Sequence, residues 1–483
     1  MIITRFAPSP SGYLHIGSAR TALFNWITSR KNGGKFLLRI EDTDSQRTKE
    51  DAVDSILDSM SWLGITWDDK TVFQSLNKVR HQEVAYSLVE NGAAYYCYMS
   101  KEEIDNFHQL HPTKKLISPW SVAVPPPPIE GRNPVIRLRV SGCIDNNAEH
   151  VSFIDSVRGK LTVARSELDD MILLRSDGTP TYMLAVVVDD HDMEINHIIR
   201  GDDHISNTFR QILIYNGMKW DVPKYTHIPL IHDMDGQKLS KRKGAVSVEE
   251  YKKMGYLPET LRNYLIRLGW GGDGTTEIAD ISVLLSKFSI DEISKSPSRF
   301  DIAKLRNINL HYIRNSSSEY LFNSCIEMLR IHDTKSILIN NEVYISKLKL
   351  VINCRELIDR FCTLEELVLF VERYILPSNK DIVIHSTENG DNLGDSTILQ
   401  EFLVLLQDDS SEQISLNEIK TILESLFAIA VSLGMQKGAL MQCIRRSLMF
   451  GESHGPDVKL IASFLERNEI INRVQNYLIA INR

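Results

Sequence analysis

The residues best suited to chemistry lie in two short strings about two hundred positions apart. His15-Ile16-Gly17-Ser18 closes the segment Arg5-Phe6-Ala7-Pro8-Ser9-Pro10-Ser11-Gly12-Tyr13-Leu14, just ahead of a helical pattern. Lys238-Leu239-Ser240-Lys241-Arg242 follows the turn-rich Asp233-Met234-Asp235-Gly236. A strand-to-helix junction is a good anion site, because the first N–H groups of a helix lack intrahelical partners and the helix dipole adds partial positive charge. In the first string Gly17 lets a flat adenine ring or a ribose approach the backbone, and His15 can donate to a phosphate oxygen. In the second, lysines between the candidate hinges Gly236 and Gly244 suit a reaction whose negative charge grows on a leaving pyrophosphate. Together they describe a site that holds a nucleoside triphosphate by its base at one end and its phosphates at the other. Taken singly, each has a plainer reading: a tight loop whose histidine packs, and a solvated charge run.

The elements that must position these strings follow from hydrophobic periodicity. Ile2 to Ala7 reads as a buried strand ended by the Pro8/Pro10/Gly12 turn region. Ala19, Ala22, Leu23, Trp26 and Ile27 recur at helical spacing; Lys35 to Ile40 is a second strand, followed by Glu41-Asp42-Thr43-Asp44. Val53, Ile56, Leu57, Met60 and Leu63 give another helix, and this alternation predicts a parallel α/β sheet. From about residue 80 to 180 the pattern changes: Pro125 to Pro128 is extended loop, and the short alternating segments Val135–Val140 and Val151–Ile154 indicate a separate α+β insertion. The α/β pattern resumes at Leu184 to Val188 and runs through Ile198-Ile199-Arg200 to the lysine-rich loop, with a helix starting near Ser247. From about 313 onward helical spacing dominates, as in Phe402, Leu405, Leu406 and Ile471, Val474, Leu478. The polar stretch Ser386 to Ser396 reads as a loop or linker.

A chain of 483 residues is too long for one core and should divide into about three units. With 43% hydrophobic and 24% charged residues it has the composition of a globular protein in water. No stretch approaches the roughly 18 uninterrupted apolar residues that a membrane span needs, and Met1-Ile2-Ile3-Thr4-Arg5 lacks the features of a signal peptide. Six cysteines without paired spacing point to a reducing compartment, the cytoplasm by default. The net charge of −8 leaves a nucleic-acid partner open, since local basic patches decide such binding.

Arg5 to Trp26 (RFAPSPSGYLHIGSARTALFNW), Leu38 to Asp44 (LRIEDTD), Pro180 to Asp190 (PTYMLAVVVDD), Ile199 to Asp203 (IRGDD), Lys238 to Arg242 (KLSKR), Asn263 to Trp270 (NYLIRLGW) and Arg360 to Leu364 (RFCTL) resemble glutamyl-tRNA synthetase of the bacterial type, in the expected order. The likeness is thinnest after about residue 370. It implies ATP-dependent activation of L-glutamate to glutamyl-adenylate, with release of pyrophosphate, and transfer of the acyl group to the 3′ end of tRNA-Glu for protein synthesis. It also implies a class I, α/β, Rossmann-like catalytic domain (1–79 and 182–237) with an α+β acceptor-binding insertion (80–181). A stem-contact domain with the KLSKR loop (238–312) and an all-helical anticodon-binding region (313–483) would follow.

On that resemblance His15, Gly17 and Ser18 hold ATP, Asp203 lies near the ribose, and Lys241, with Lys238 and Ser240, steadies the departing phosphates. Where many relatives end the first motif in histidine this chain has Ser18, whose hydroxyl can still donate. The amino-acid pocket also follows a charge argument. Glutamate brings two carboxylates and one ammonium, which require two cationic partners and one anionic partner when buried. The resemblance places Arg5, Arg200, Glu41 and Tyr182 there, with Ser9 nearby. Arg5 is the candidate for the side-chain carboxylate, since its planar fork fits one bidentately. Met183 stands where relatives have asparagine, so any polar contact there must come from elsewhere.

Some relatives carry zinc in the insertion. Here Cys97 is followed by Tyr98 and Met99 with no second ligand pair, so no structural zinc is expected. Magnesium is expected only as the ATP complex. Arg360 matches the position that reads the third anticodon base in discriminating relatives; the plainer reading is a surface pairing with Asp359 or with a phosphate. A monomer is expected. Four alternatives remain open: an enzyme that also charges tRNA-Gln, a tRNA-binding paralogue without catalysis, a paralogue that glutamylates an anticodon base, and a glutaminyl-tRNA synthetase. Against the last two stands the long helical C-terminal half.

Overall fold

Two β-α-β runs leave the same place in opposite directions and open a cleft between them. The computed structural model describes residues 1–43, 50–110, 116, 118–122, 126–144, 148–237, 239, 246–272, 277–332, 334–376, 392–407 and 411–482. It divides into two units, 1–251 with 258–305, and 252–257 with 306–483. In the first unit β1 (Ile3–Phe6) pairs in parallel with β2 (Lys35–Ile40), which pairs with β3 (Val72–Phe73). The helix Ile16–Lys31 makes the crossover. β1 and most of β2 are buried, as the near-continuous apolar runs of a parallel sheet require.

An inserted antiparallel sheet follows, with order β4 (Ala94–Cys97), β5 (Val135–Leu138), then β8 (Ile172–Leu174). The intervening hairpin of β6 (His150–Asp155) and β7 (Gly159–Ala164) joins a different sheet, of order β7-β6-β10-β9. There β9 (His197–Gly201) and β10 (Lys224–Ile228) are parallel neighbours joined through the helix Ile205–Met218, and Asp155 of β6 lies opposite Tyr225 of β10. The stretch expected as an α+β insertion, 80–181, thus contributes strands to two sheets. Its hairpin extends the catalytic sheet, and Val84, Leu138 and Leu173 share one core with Ile3, Leu37 and Ile198. Alternation in Val151–Ile154 marks strands but cannot say which sheet they join.

The parallel sheet of β1 and the mixed sheet of β9 meet at these two strands. Asn196 N–H donates to Ile3 O (3.2 Å), and Ile3 N–H donates to Asn196 Oδ1 (2.9 Å). Further along, a side chain of the crossover helix replaces the ladder: Asn25 Nδ2 donates to Ile199 O (2.9 Å), and Thr4 Oγ1 donates to Asn25 O (2.9 Å). The chain leaves β1 toward one side and β9 toward the other, so the crevice at their C-terminal ends is a topological switch point, the usual ligand site of open α/β sheets.

Leu184–Val188 proves to be the middle of the helix Tyr182–Asp192. All five residues are buried, and a helix apolar all round cannot be told from a buried strand by periodicity. In the second unit the helices enclose two apolar clusters. One includes Leu321, Tyr344, Leu348 and Leu367, and the other Phe402, Leu426, Ile444 and Val474. Thr363–Glu366 and Ser415–Glu418 form capping boxes that start two of these helices. The all-helical expectation for the C-terminal region stands; the compact unit around it takes in 252–257 and 306–483, while 258–305 pack with the first unit. The helix Asn392–Gln407 also takes in the end of the stretch read as a loop from Ser386 to Ser396; residues 386–391 lie outside the described residues.

Candidate active site

A cavity of about 510 Å³ occupies the switch point. Arg5, Pro8, Ser9, His15, Gly17, Ser18, Glu41, Tyr182, Arg200, Asp203 and Leu239 line it, bringing together residues as far apart in the chain as Arg5 and Leu239. The other motif residues serve the scaffold: Ile16 is fully buried in the core, Pro10 is buried and Gly12 half-buried beside the strand end. Lys238, Ser240, Lys241 and Arg242 lie outside the described residues. Their neighbours hold to the cavity's rim, since Leu239 N–H donates to Ile231 O (3.0 Å) and Val248 N–H donates to Leu14 O (2.8 Å).

At one end His15 is the N-cap of the helix Ile16–Lys31. Its Nδ1 accepts from Gly17 N (3.1 Å) and Ser18 N (3.3 Å). Two helix-start N–H groups expected to be open to an anion are therefore taken by the motif's own histidine. Accepting at Nδ1 places the neutral ring's proton on Nε2, which lies 3.1 Å from Ser18 Oγ. An anion here meets that N–H and the Ser18 hydroxyl. Gly17 permits the cap: a Cβ would stand 2.9 Å from His15 Cε1. Arg20, one turn on, also lines the cavity, and sequence reasoning missed it. Buried, it donates to the carbonyls of Leu268 and Pro229, and burial lowers its pKa to about 10 despite nearby Asp202.

At the other end is a buried charge network. Arg5, 4% exposed, donates from Nε (2.9 Å) and Nη2 (3.3 Å) to Asp190, leaving its other fork edge for a ligand. Arg39 donates to Asp190 (2.6 Å) and Glu41 (3.2 Å), with Asp189 at 3.9 Å. Asp189 is held by Gln74 (2.7 Å), Asn77 (2.9 Å) and His81 (2.8 Å). Two guanidinium groups thus face three carboxylates, of which only Glu41 lines the cavity. Burial pushes the Glu41 carboxyl up against the pull of Arg39 and Arg5. An ammonium group beside it would supply the missing positive charge. Asp190 is held below the ordinary carboxylate range by Arg39 and Arg5, which outweigh its burial. Arg39, Asp189 and Asp190 were visible only as residues within LRIEDTD and PTYMLAVVVDD; two adjacent acids on an apolar run were the available signal.

Opposite, Arg200 is buried and donates from Nη2 to Thr208 Oγ1 (2.6 Å) and Gln211 Oε1 (2.7 Å) and from Nε to His227 Nε2 (3.3 Å). Its Nη1 is buried without a hydrogen-bond partner among the described residues. Tyr182 lies over the site with its hydroxyl 3.3 Å from His204 Nδ1; burial and Glu41 raise the phenol to about 12, while burial and Arg200 lower His204 to about 4. Asp203 packs so tightly on Gly201 that a Cβ there would meet its Oδ1. Met183 faces the apolar core, so it leaves no gap in the polar wall.

Arg360 belongs to the helical unit. It is exposed, with Nη1 3.5 Å from Gly455 O, and Asp359 pairs instead with Arg314 (3.6 Å). The surface pairing with Asp359 is thus not the arrangement adopted. Cys97 is buried against Ser118 Oγ at 3.3 Å.

Residues 1–307 match the family model for the catalytic domain of class I tRNA synthetases (E and Q), and residues 324–478 match that for an anticodon binding domain. A glutamate–tRNA ligase of Methylorubrum extorquens is 41% identical over 99% of both chains, and one of Rhodospirillum centenum is 52% identical over 68% of this chain and 70% of its own. The crystal structure of a glutamate tRNA ligase from Elizabethkingia meningosepticum, in complex with its amino acid, matches with a TM-score of 0.78 at 25% identity over 99% of both chains. With an α/β switch-point cavity, a buried arginine–carboxylate pocket and a separate helical unit, the chain belongs to the glutamate–tRNA ligase family of class I tRNA synthetases.

Proposed function

We propose that glutamate binds at the Arg5, Glu41, Arg200 and Tyr182 end of the cavity, with Ser9 at its edge, and ATP at the His15, Gly17, Ser18 and Asp203 end. One observation carries this reading: a buried guanidinium nitrogen of Arg200, without a partner among the described residues, shares a cavity with Arg5 and with a carboxylate whose charge burial disfavours. Arg5 takes the side-chain carboxylate on its open edge, Glu41 the ammonium, and Arg200 the other carboxylate. An oxygen of the α-carboxylate attacks the α-phosphorus of ATP, and the bond to pyrophosphate breaks. Lys241, helped by Lys238 and Ser240, stabilises the charge developing on that leaving group, and the anchoring of Leu239 and Val248 at the rim supports this role. The 3′-terminal ribose of tRNA then attacks the acyl carbon and AMP departs.

Among the described residues no three His, Cys, Asp or Glu side chains come together as a metal site. In this reading magnesium arrives with the ATP phosphates, and the insertion holds no zinc. Arg360 reads the third anticodon base, so tRNA-Glu is preferred over tRNA-Gln: a donor-only side chain suits the acceptor edge of cytosine and opposes the N1–H and N2–H₂ donors of guanine. The enzyme works as a monomer in the cytoplasm; among the described residues no helix is long and apolar enough to cross a membrane. Activation waits for tRNA to complete the pocket, a form of induced fit. Glutamate-dependent ATP–pyrophosphate exchange with and without tRNA-Glu tests this reading: exchange is expected only with tRNA, and equal rates refute it.

A further inference from the structure

Arg200 differs from the other buried arginines of the pocket in the company it keeps. Arg5 and Arg39 each bond a carboxylate directly. Arg200 bonds only neutral groups, Thr208, Gln211 and His227, among the described residues. A buried guanidinium without a carboxylate is costly unless a counter-charge arrives. The nearest fixed support stands one ring away: His227 Nδ1 lies 2.8 Å from Asp155 Oδ2. Asp155 accepts as well from the backbone N–H groups of Val157 (3.0 Å), Arg158 (2.8 Å) and His227 (2.9 Å), so it is fully engaged as an acceptor and the ring nitrogen facing it must carry the proton. Nε2 is then an acceptor, and it meets both the Arg200 Nε–H (3.3 Å) and the Thr208 hydroxyl (3.0 Å), which ties the ring to the second group that holds the fork. The parallel register of β9 and β10 sets His227 directly opposite Arg200, and the β6–β7 hairpin brings Asp155 to the far side of the ring.

We infer that Asp155 and His227 are positioning residues which orient the Arg200 guanidinium without neutralising it, reserving Nη1 for a substrate carboxylate. Had Asp155 touched Arg200 directly, two donors and the charge itself would be consumed. The intervening imidazole fixes the plane of the fork through Nε alone, while Thr208 and Gln211 fix Nη2. Every atom of this relay is held in a site where water cannot substitute: His227 and Thr208 are 0% exposed, and Asp155 and Gln211 are 1% exposed. The relay rests on the reading that Arg200 meets a carboxylate of glutamate.

The test is glutamate-dependent pyrophosphate exchange by the full chain at saturating tRNA-Glu, with active sites titrated, in His227→Leu, His227→Gln, Thr208→Val and Arg200→Leu. His227→Leu should raise the glutamate KM about tenfold or more while the ATP KM stays within about twofold, the loss of one hydrogen bond to a charged group. His227→Gln, whose Oε1 can accept where Nε2 does, should recover most of it. If His227→Leu fails to fold, Thr208→Val decides, since it removes an acceptor from Nη2 with little change of shape and should show the same split. An unchanged glutamate KM in these variants, equal rises for glutamate and ATP, or a glutamine no better than leucine overturns the relay. Arg200→Leu separates the two levels. If it leaves the glutamate KM unchanged, Arg200 does not meet the substrate; if it raises that KM while the His227 and Thr208 variants do not, only the relay fails.

Discussion

Replacing Asp190 by asparagine tests whether the pocket's charges are held as a network or merely lie close together. The Asp190 side chain is 0% exposed and receives three bonds, from Arg5 Nε (2.9 Å) and Nη2 (3.3 Å) and from Arg39 Nη1 (2.6 Å). An asparagine would keep one acceptor oxygen but turn an NH₂ group toward guanidinium donors that now meet a carboxylate. It would also leave the two buried guanidinium groups with two carboxylates, Glu41 and Asp189, in place of three, and Arg5 without its bonded carboxylate. Removing one partner of a buried pair typically costs about 3–5 kcal/mol, and three bonds place Asp190→Asn in that range. All six tryptophans (26, 62, 67, 120, 220 and 270) lie in the first unit, so urea unfolding followed by tryptophan fluorescence isolates its stability from that of the helical unit. The pH dependence adds a second check. Because Arg39 and Arg5 hold the carboxyl below its ordinary value, its stabilisation is complete above the unfolded pKa near ~4 and is lost as pH falls through the lower folded value. The gap between wild type and variant should therefore be full at pH 7 and narrow toward pH 3. A loss under about 1 kcal/mol at pH 7, in the range of surface pairs, or a gap independent of pH would refute the network.

Further outcomes follow from the other end of the cavity and from the helical unit. Gly17→Ala pushes the His15 ring off its cap, costing about 1 kcal/mol, while alanine returns a comparable amount of helix propensity; unfolding should barely change but the ATP KM should rise several-fold, and an unchanged ATP KM removes Gly17 from the nucleotide site. Lys241→Ala should lower kcat about a hundred-fold with little change in glutamate KM; a variant defective only in glutamate KM contradicts a role at the pyrophosphate. Arg360→Gln should relax the preference for tRNA-Glu over tRNA-Gln by roughly 1–3 kcal/mol in kcat/KM; equal charging of both tRNAs by the unmutated chain would mean that Arg360 does not discriminate.

What the sequence alone determined was the identity of the pocket's wall and the elements that carry it. Arg5, Glu41, Tyr182, Arg200 and Asp203 could be named before any coordinates, because they sit within motif-length strings that resemble glutamyl-tRNA synthetase, and the charges of glutamate ask for the same residue types. β1, β2 and the helix between them were legible because buried parallel strands and a capped helix leave local patterns. Their C-terminal ends, where the loops begin, are where ligands collect. The tertiary structure decided everything that depends on what lies opposite. Leu184–Val188 became a helix because burial on all sides erases the period that would distinguish it from a strand. The His150–Ala164 hairpin joined the catalytic sheet because strand pairing is chosen by the partner, not by alternation. Arg20, Arg39, Asp190 and His227 entered the site through contacts spanning as many as 248 positions. Whether a guanidinium is spoken for or still has a donor to offer is a matter of neighbours brought from elsewhere in the chain, as Arg5 against Asp190 and Arg200 beside a neutral imidazole make plain.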